Sequence, residues 1–236
     1  MIIPTDEEIK IINNYLSKDC CVAEQQFDKL KQYVELLLIE NEKHNLIGKN
    51  TIQSVWSRHI IDSLQLVSYA MENKNDSNRT IFDLGSGAGF PAIVLGIITG
   101  YKIVMVEKSP VKSQFLSRVC QELHLEQKVI NESVNKNNIS TFLSSRSVIT
   151  SRAFKSIGEI FDLIDDKVIL SNIDKMVLLK GEKWKAEIEE YLKKKQIAFG
   201  ANKCGDLFDV RYFEKFRMEV QKSILGEGVV LHFSRF

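Results

Sequence analysis

The stretch Thr80-Ile81-Phe82-Asp83-Leu84-Gly85-Ser86-Gly87-Ala88-Gly89-Phe90-Pro91 decides the fold. Thr80–Leu84 is a short apolar run of strand type. Three alternating glycines follow, and Phe90–Thr99 is a nearly all-apolar helix closed by Gly100. Glycines in alternation remove Cβ atoms where backbone must pass close to a ligand, and they permit positive φ. The unpaired N–H groups of the helix start add donors beyond them. A second strand, Lys102–Glu107, ends on an acid 20 residues after Gly87. In doubly wound α/β folds an acid at this point accepts hydrogen bonds from ribose hydroxyls. Together these features place a nucleoside-type cofactor over the carboxyl ends of the first two strands.

The loop is not the dinucleotide fingerprint G-x-G-x-x-G, because Phe90 stands at its sixth position. Pro91, expected at the first turn of the helix, withdraws an N–H that a pyrophosphate would use. A ligand without phosphate, with a ribose and a charged amino-acid tail, fits better.

Outward from the loop, strands alternate with helices of about ten residues, which indicates a parallel α/β sheet. Ser109-Pro110 is a cap followed by a first-turn proline, and its helix shows Val111, Phe115, Leu116, Val119 and Leu123 on one face. Val129–Asn131, Val148–Ser151 and Met176–Lys180 read as further strands. Val229–Phe233 (VVLHF) has no helix after it and reads as an edge strand entering by a hairpin. Lys183–Lys195 is a charge-dense, solvent-facing helix supported by the pairs Glu189–Lys193 and Glu190–Lys194, with RNA contact by Lys193–Lys195 as a second reading.

Upstream the chain reads as helices. Thr5–Leu16 is short and amphipathic. Val22–Lys43 carries Phe27, Leu30, Val34, Leu37 and Leu38 on a stripe. Asn50 followed by Gln53 is an N-cap signature for a helix bearing Ile52, Val55, Trp56, Ile60, Leu64 and Val67. That helix fades into the polar stretch ENKNDSNR, so the domain boundary falls near Asn73–Arg79. The expected organisation is a helical extension over residues 1–75 and an α/β domain over 76–236.

The 236 residues suit one sizeable core with an appendage. With 44% apolar and 27% charged residues, disorder is excluded. Lys and Arg number 32 against 31 acids, so attachment to nucleic acid by bulk charge is excluded while a local basic patch is not. The four cysteines form no metal-ligand pattern; they read as inert packing thiols of a reducing, cytoplasmic compartment. No apolar run spans a bilayer, and the N-terminus has no signal-peptide pattern. The expectation is a cytoplasmic monomer without metal, DNA or membrane as partner.

The pattern D-x-G-x-G-x-G resembles motif I of the S-adenosylmethionine-dependent methyltransferases. Further segments join it in order: Asn45-Leu46, Arg58-His59-Ile60-Ile61-Asp62-Ser63-Leu64, Lys112 with Phe115-Leu116, Ser151-Arg152-Ala153-Phe154, and Lys180-Gly181. With these the chain closely resembles the bacterial RsmG family, also called glucose-inhibited division protein B, from about Phe27 to Gly181. The resemblance implies a Rossmann-like sheet with a helical N-terminal extension, and methyl transfer from S-adenosylmethionine to N7 of a guanosine in 16S ribosomal RNA of the small subunit. Carried over by position, it implies cofactor contacts at Gly85, Phe90, Val134, Asn135 and Arg152. Gly87 and Glu107 come from the loop and ribose arguments. The family pattern is departed from at Ala92 and Val94, where glycine and proline are usual, and at Asn135, often an acid. Two alternatives stay open: a non-catalytic RNA-binding or ribosome assembly protein on the same fold, and a methyltransferase with another substrate.

Guanine N7 carries an exposed lone pair, so no general base is nominated. Arg152 has readings as a carboxylate or phosphate ligand and as a structural ion pair. Phe154 is either a stacking platform for a splayed-out base or a core residue. Lys180 is either a phosphate contact or a snorkelling surface lysine. His59 and Ser63 fall on the apolar face of their helix and Asp62 at its edge. His59 and Asp62 therefore line a cleft against the sheet, or His59 is a satisfied buried histidine. Arg58 lies on the polar side, where it is a candidate RNA contact.

Overall fold

The computed structural model describes residues 2–70, 80–195, 203–204, 207–208, 216–224 and 228–235. Thr5 caps α1 (Asp6–Asn13) through a capping box with Glu8. Asp19 caps the long α2 (Cys20–His44), whose chain leaves through Asn45 in the left-handed region, φ +42. The single helix expected from Asn50 to Val67 is broken up. Asn50 lies inside a 3-10 turn, Lys49–Thr51, instead of capping a helix. A π-helical turn, Trp56–Ile61, then leads into α3 (Asp62–Leu64) and α4 (Val67–Ala70). Within the π turn His59, Ile60 and Ile61 are all buried. Such turns concentrate at functional sites.

The α/β region follows as β1 (Ile81–Leu84), α5 (Ala92–Thr99), β2 (Ile103–Val106), α6 (Pro110–Glu122), β3 (Lys128–Ile130), α7 (Ile139–Phe142), β4 (Ser147–Arg152), α8 (Ile157–Ile164), α9 (Lys167–Asn172), β5 (Ile173–Lys180), α10 (Trp184–Lys194), the two-residue strands β6 (Lys203–Cys204) and β7 (Leu207–Phe208), then β8 (Phe216–Lys222) and β9 (Val229–Arg235). Pro91 is the N-cap of α5 and lies one step outside its first turn. Ser109 caps α6 with Pro110 in its first turn. The main sheet runs β3-β2-β1-β4-β5-β9-β8. The first five strands are parallel, and β9 is antiparallel to both neighbours. VVLHF is thus an inner strand: β9 inserts between β5 and β8, and β8 forms the edge. Its mostly apolar run, with His232 buried in it, suits a strand covered on both faces.

Alternation sorts the sheet residues onto two faces. Ile81, Ile103, Met105, Val148, Val177 and Val230 join the cluster that contains Leu30, Val34, Leu37, Ile93 and Leu116. Phe82, Leu84, Val104, Ile149, Leu178 and Leu231 join the opposite cluster with Ile157, Phe161 and Ile188. The N-terminal helices therefore share a core with one face of the sheet. Gln26 Nε2 donates to the Ile98 carbonyl at 2.8 Å, and Arg118 pairs with Glu40 at 2.6 Å, tying α2 to α5 and α6. The expected boundary, 73–79, lies outside the described residues.

Three further expectations change. Val111 is 40% exposed, because it falls on the solvent side of α6 at the first turn. Cys20 and Cys21 are exposed and only Cys120 is a buried packing thiol among the described cysteines. Lys194 at the end of α10 and Lys195, its C-cap, reach across to Asp162 in α8 and Asp165 at the α8 C-cap, at 2.7 and 2.9 Å, so cross-helix pairing occupies two of the three lysines considered for RNA.

Candidate active site

The first sheet connection turns at the point where strand order reverses between β1 and β4, the place where open α/β sheets bind ligands. Gly85, Gly87 and Gly89 have φ of +71, +58 and +106. Gly85 and Ser86 both donate backbone N–H to the Val106 carbonyl, at 2.8 and 3.2 Å, so the loop is moored to the end of β2. A Cβ on Gly85 would lie 2.3 Å from the Phe154 ring, so only glycine lets that ring rest on the loop. A Cβ on Gly87 would meet nothing nearer than the Gly85 carbonyl at 3.8 Å. At Gly87 the loop faces open space, and backbone can approach a ligand directly.

Glu107 is buried at the end of β2. Its Oε2 accepts the Gly87 N–H at 2.9 Å and its Oε1 accepts the Ser109 N–H at 2.8 Å. The carboxylate thus bridges the glycine loop to the cap of α6. Each oxygen retains a second lone pair for a hydroxyl donor.

Below the loop, Asp83 and Thr150 are register partners on β1 and β4. The Thr150 hydroxyl donates to Asp83 Oδ1 at 2.9 Å. Oδ2 has no hydrogen-bond partner among the described residues. Burial pushes the Asp83 pKa up to about 6, against the pull of Ser86, Thr150 and the Arg152 charge. Tyr33, from α2, donates its hydroxyl to the Ala88 carbonyl at 2.8 Å. A helix that sequence places far from the loop therefore props it from behind.

Phe90 is the hub of an aromatic group. Its ring centroid lies 5.2 Å from that of Tyr33 and 4.9 Å from that of His59, the latter nearly parallel at 20°. The Arg152 guanidinium stands 4.8 Å from the same centroid. Phe90 is buried, so what it presents to the loop surface is backbone. His59 Nε2 lies 2.9 Å from Thr51 Oγ1, which itself donates to the Gly48 carbonyl at 2.8 Å. Thr51 therefore accepts from His59, which assigns the proton to Nε2. Burial, with the charges of Arg152 and Arg58, lowers the His59 pKa to about 3 and keeps the ring neutral. Ser63 is satisfied by donating to the His59 carbonyl at 2.6 Å.

Beside the loop a cleft of about 790 Å³ opens, lined by Arg58, His59 and Asp62 on the helical side and by Arg152, Phe154 and Lys180 at the ends of β4 and β5. Ala153, between Arg152 and Phe154, has φ +51, a left-handed conformation that costs an L-residue about 1–2 kcal/mol. Such strain is found where geometry is constrained for function. Arg152 donates to the Arg58 carbonyl at 3.0 Å, a link between β4 and the π turn. Burial pulls its guanidinium pKa down, countered by Tyr33, Asp62 and Asp83. Asp62 Oδ1 accepts from Ser223 Oγ at 2.7 Å and from Gln65 Nε2 at 3.2 Å. Burial raises the Asp62 pKa, opposed by Ser223, Arg152 and Arg58.

Lys180 is engaged within the protein: its Nζ lies 2.8 Å from Glu187 and donates to the Lys155 carbonyl at 2.6 Å. Neither a snorkelling surface lysine nor an available phosphate ligand describes it, because the lysine side chain is buried. Val134 is buried in the opposite cluster from the N-terminal helices. Asn135 is exposed and accepts from Asn137 N–H at 2.9 Å in a local turn. The structure thus gathers Gly85, Gly87, Phe90, Glu107 and Arg152 about the loop and His59, Asp62, Arg152 and Phe154 about the cleft. Tyr33, Thr51, Gln65, Thr150 and Ser223 escaped the sequence. Only Thr150 left a signal, a polar residue in the strand expected to flank the first.

Solved structures with this architecture include the METTL16 MTase domain, with a TM-score of 0.52 at 13% identity over 73% of this chain and 66% of that one. A putative rRNA-methylase from Clostridium thermocellum superposes with a TM-score of 0.51 at 11% identity, covering 73% of this chain and 94% of that one. Fold and loop define a Rossmann-like α/β protein with the architecture of those structures. A family model described as rRNA small subunit methyltransferase G matches residues 26–204. The protein called ribosomal RNA small subunit methyltransferase G in Rickettsia bellii is 34% identical over 173 residues, 73% of this chain and 84% of that protein. Its namesake in Magnetococcus marinus is 36% identical over 167 residues, 70% of this chain and 72% of that protein. The chain belongs to the GidB family, the rRNA small subunit methyltransferases G.

Proposed function

We propose that this chain transfers a methyl group from S-adenosylmethionine to N7 of a guanosine in 16S ribosomal RNA. The observation that carries the cofactor reading is the bridged loop: Glu107 joined to Gly87, beside a position where a Cβ would meet open space. A relative in fold, the N-terminal domain of human METTL16, was solved in complex with SAH. Glu107 has lone pairs left for ribose hydroxyls, Gly85 and Gly87 offer close backbone approach, Val134 and Asn135 flank the adenine side, and Arg152 supplies a planar cation for a carboxylate. When bound, the cofactor supplies an electrophilic sulfonium methyl.

The chain's own role is positioning. Guanine N7 attacks through a free lone pair, so no residue has to remove a proton first, and in-line placement is the main requirement. Phe154, half-buried on the loop, offers a face for an unstacked base. Arg58, Arg152 and Lys155 give the cleft positive charge for the RNA backbone. The helical extension over residues 1–75 and the sheet domain over 76–236 act as one unit, since the cleft takes a wall from each. Transfer of labelled methyl to small ribosomal subunits, followed by mass mapping of the modified nucleotide, tests the proposal. Label on protein or small molecules only, or on a guanine amine, would refute it. No calorimetric heat with S-adenosylmethionine would favour a non-catalytic assembly role.

A further inference from the structure

N7 is common to guanine and adenine, so a transferase for guanosine N7 needs a group that rejects adenine. The 2-amino group is a hydrogen-bond donor that adenine lacks, on the edge of the ring away from N7. Its partner must be an acceptor in the cleft. Among the cleft carboxylates, Glu187 already receives Lys180 and the Ile157 N–H, and Glu159 receives Ser156 and Lys155. Glu182 is exposed. Asp62 differs. It is half-buried, and its Oδ1 is fixed by Ser223 and Gln65, so the carboxylate has a set orientation. Its Oδ2 makes no hydrogen bond among the described residues. Gln65 is itself held by the Ile224 N–H at 2.9 Å, which locks the arrangement to the end of β8.

Phe154 rests on Gly85 and lines the same cleft as Asp62. Phe154 stands at the end of β4 and Asp62 on the helical wall of that cleft. We propose that Asp62 is a specificity-determining residue whose Oδ2 accepts a hydrogen bond from the 2-amino group of the target guanine. This rests on the guanosine-N7 reading above. Burial raises the Asp62 pKa, while Ser223 and the charges of Arg152 and Arg58 pull it back toward the ionised, acceptor-only form.

The test compares reconstituted small-subunit particles carrying either guanosine or inosine at the mapped position; inosine keeps N7 and lacks the 2-amino group. The wild-type protein should methylate the inosine particle about 10-fold or more slowly in kcat/KM. Asp62→Asn keeps an oxygen for Ser223 but turns an NH2 toward the base. It should lose about 10- to 100-fold on guanosine and treat the two particles alike, with unchanged heat of S-adenosylmethionine binding. Glu182→Gln, at an exposed position on the same cleft, should retain the preference for guanosine. Wild-type protein that methylates guanosine N7 and does not distinguish inosine overturns the proposal alone. So does Asp62→Asn that still discriminates, or Glu182→Gln that loses the preference as Asp62→Asn does. Wild-type protein that leaves guanosine N7 unmethylated removes the function reading and this proposal together.

Discussion

Replacing Glu107 by glutamine separates two roles the structure gives one side chain. The carboxylate accepts two backbone N–H groups, Gly87 at 2.9 Å and Ser109 at 2.8 Å. Glutamine keeps one acceptor and points an NH2 at the other N–H, so one bond is lost. A hydrogen bond to a charged group contributes about 1.5–3 kcal/mol. At about 2–4 °C per kcal/mol for a chain of this size, Tm should fall by roughly 3–12 °C. The lost negative charge also weakens any bond from a ribose hydroxyl, which should raise Kd for S-adenosylmethionine by about 10- to 100-fold. Differential scanning fluorimetry reads the first effect and isothermal calorimetry the second. A Tm fall with unchanged affinity would refute the ribose assignment. Weakened affinity with unchanged Tm would refute the bridge between loop and α6.

Gly87→Val puts a β-branched side chain into the space beside the loop and onto a backbone at φ +58 that it does not favour; it should abolish cofactor heat while far-ultraviolet circular dichroism stays that of the folded sheet. Tyr33→Phe removes the donor to Ala88 and leaves a buried carbonyl unsatisfied, at a cost of about 1–3 kcal/mol, readable as a shifted urea midpoint. Asp83 has a folded pKa near 6 against an ordinary 3.8. The folded state thus binds the extra proton, and its contribution to stability falls as pH rises from about 4 to 6, by roughly 3 kcal/mol. Asp83→Asn should remove that fall from urea denaturation profiles, and an unchanged difference between pH 4 and 7 would contradict the buried carboxylate. Binding to small-subunit particles should weaken steeply with added salt; indifference to salt would remove Arg58, Arg152 and Lys155 as a phosphate footprint.

Local chemistry is legible where neighbours in sequence are neighbours in space. Gly85 to Gly89 forms a loop because alternate glycines after an apolar strand have few other uses, and Ser109-Pro110 starts α6 because a cap and a first-turn proline act within one turn. His59 and Ser63 fall on the apolar face by their spacing and are buried. The helix around them is not legible from spacing alone. Periodicity assumes a uniform 100° step, whereas the π turn Trp56–Ile61 departs from it and sets His59 against Phe90 and the Arg58 carbonyl against Arg152. Val229–Phe233 reads as an edge because a terminal strand without a following helix usually ends a sheet. Insertion between β5 and β8 depends on pairing that no local pattern encodes.

By itself, the order of residues determined the alternation of strands and helices, the glycine loop at the end of the first strand and the acid that meets it. These are set by backbone conformational preference and by hydrophobic period, which act over a few residues. Tertiary structure alone decided that Tyr33 props the loop, that Lys180 is engaged by Glu187, and that Ser223 orients Asp62 across 161 positions of chain. Each of those contacts joins surfaces that meet only when the helices and the last hairpin bury their apolar faces on the same sheet.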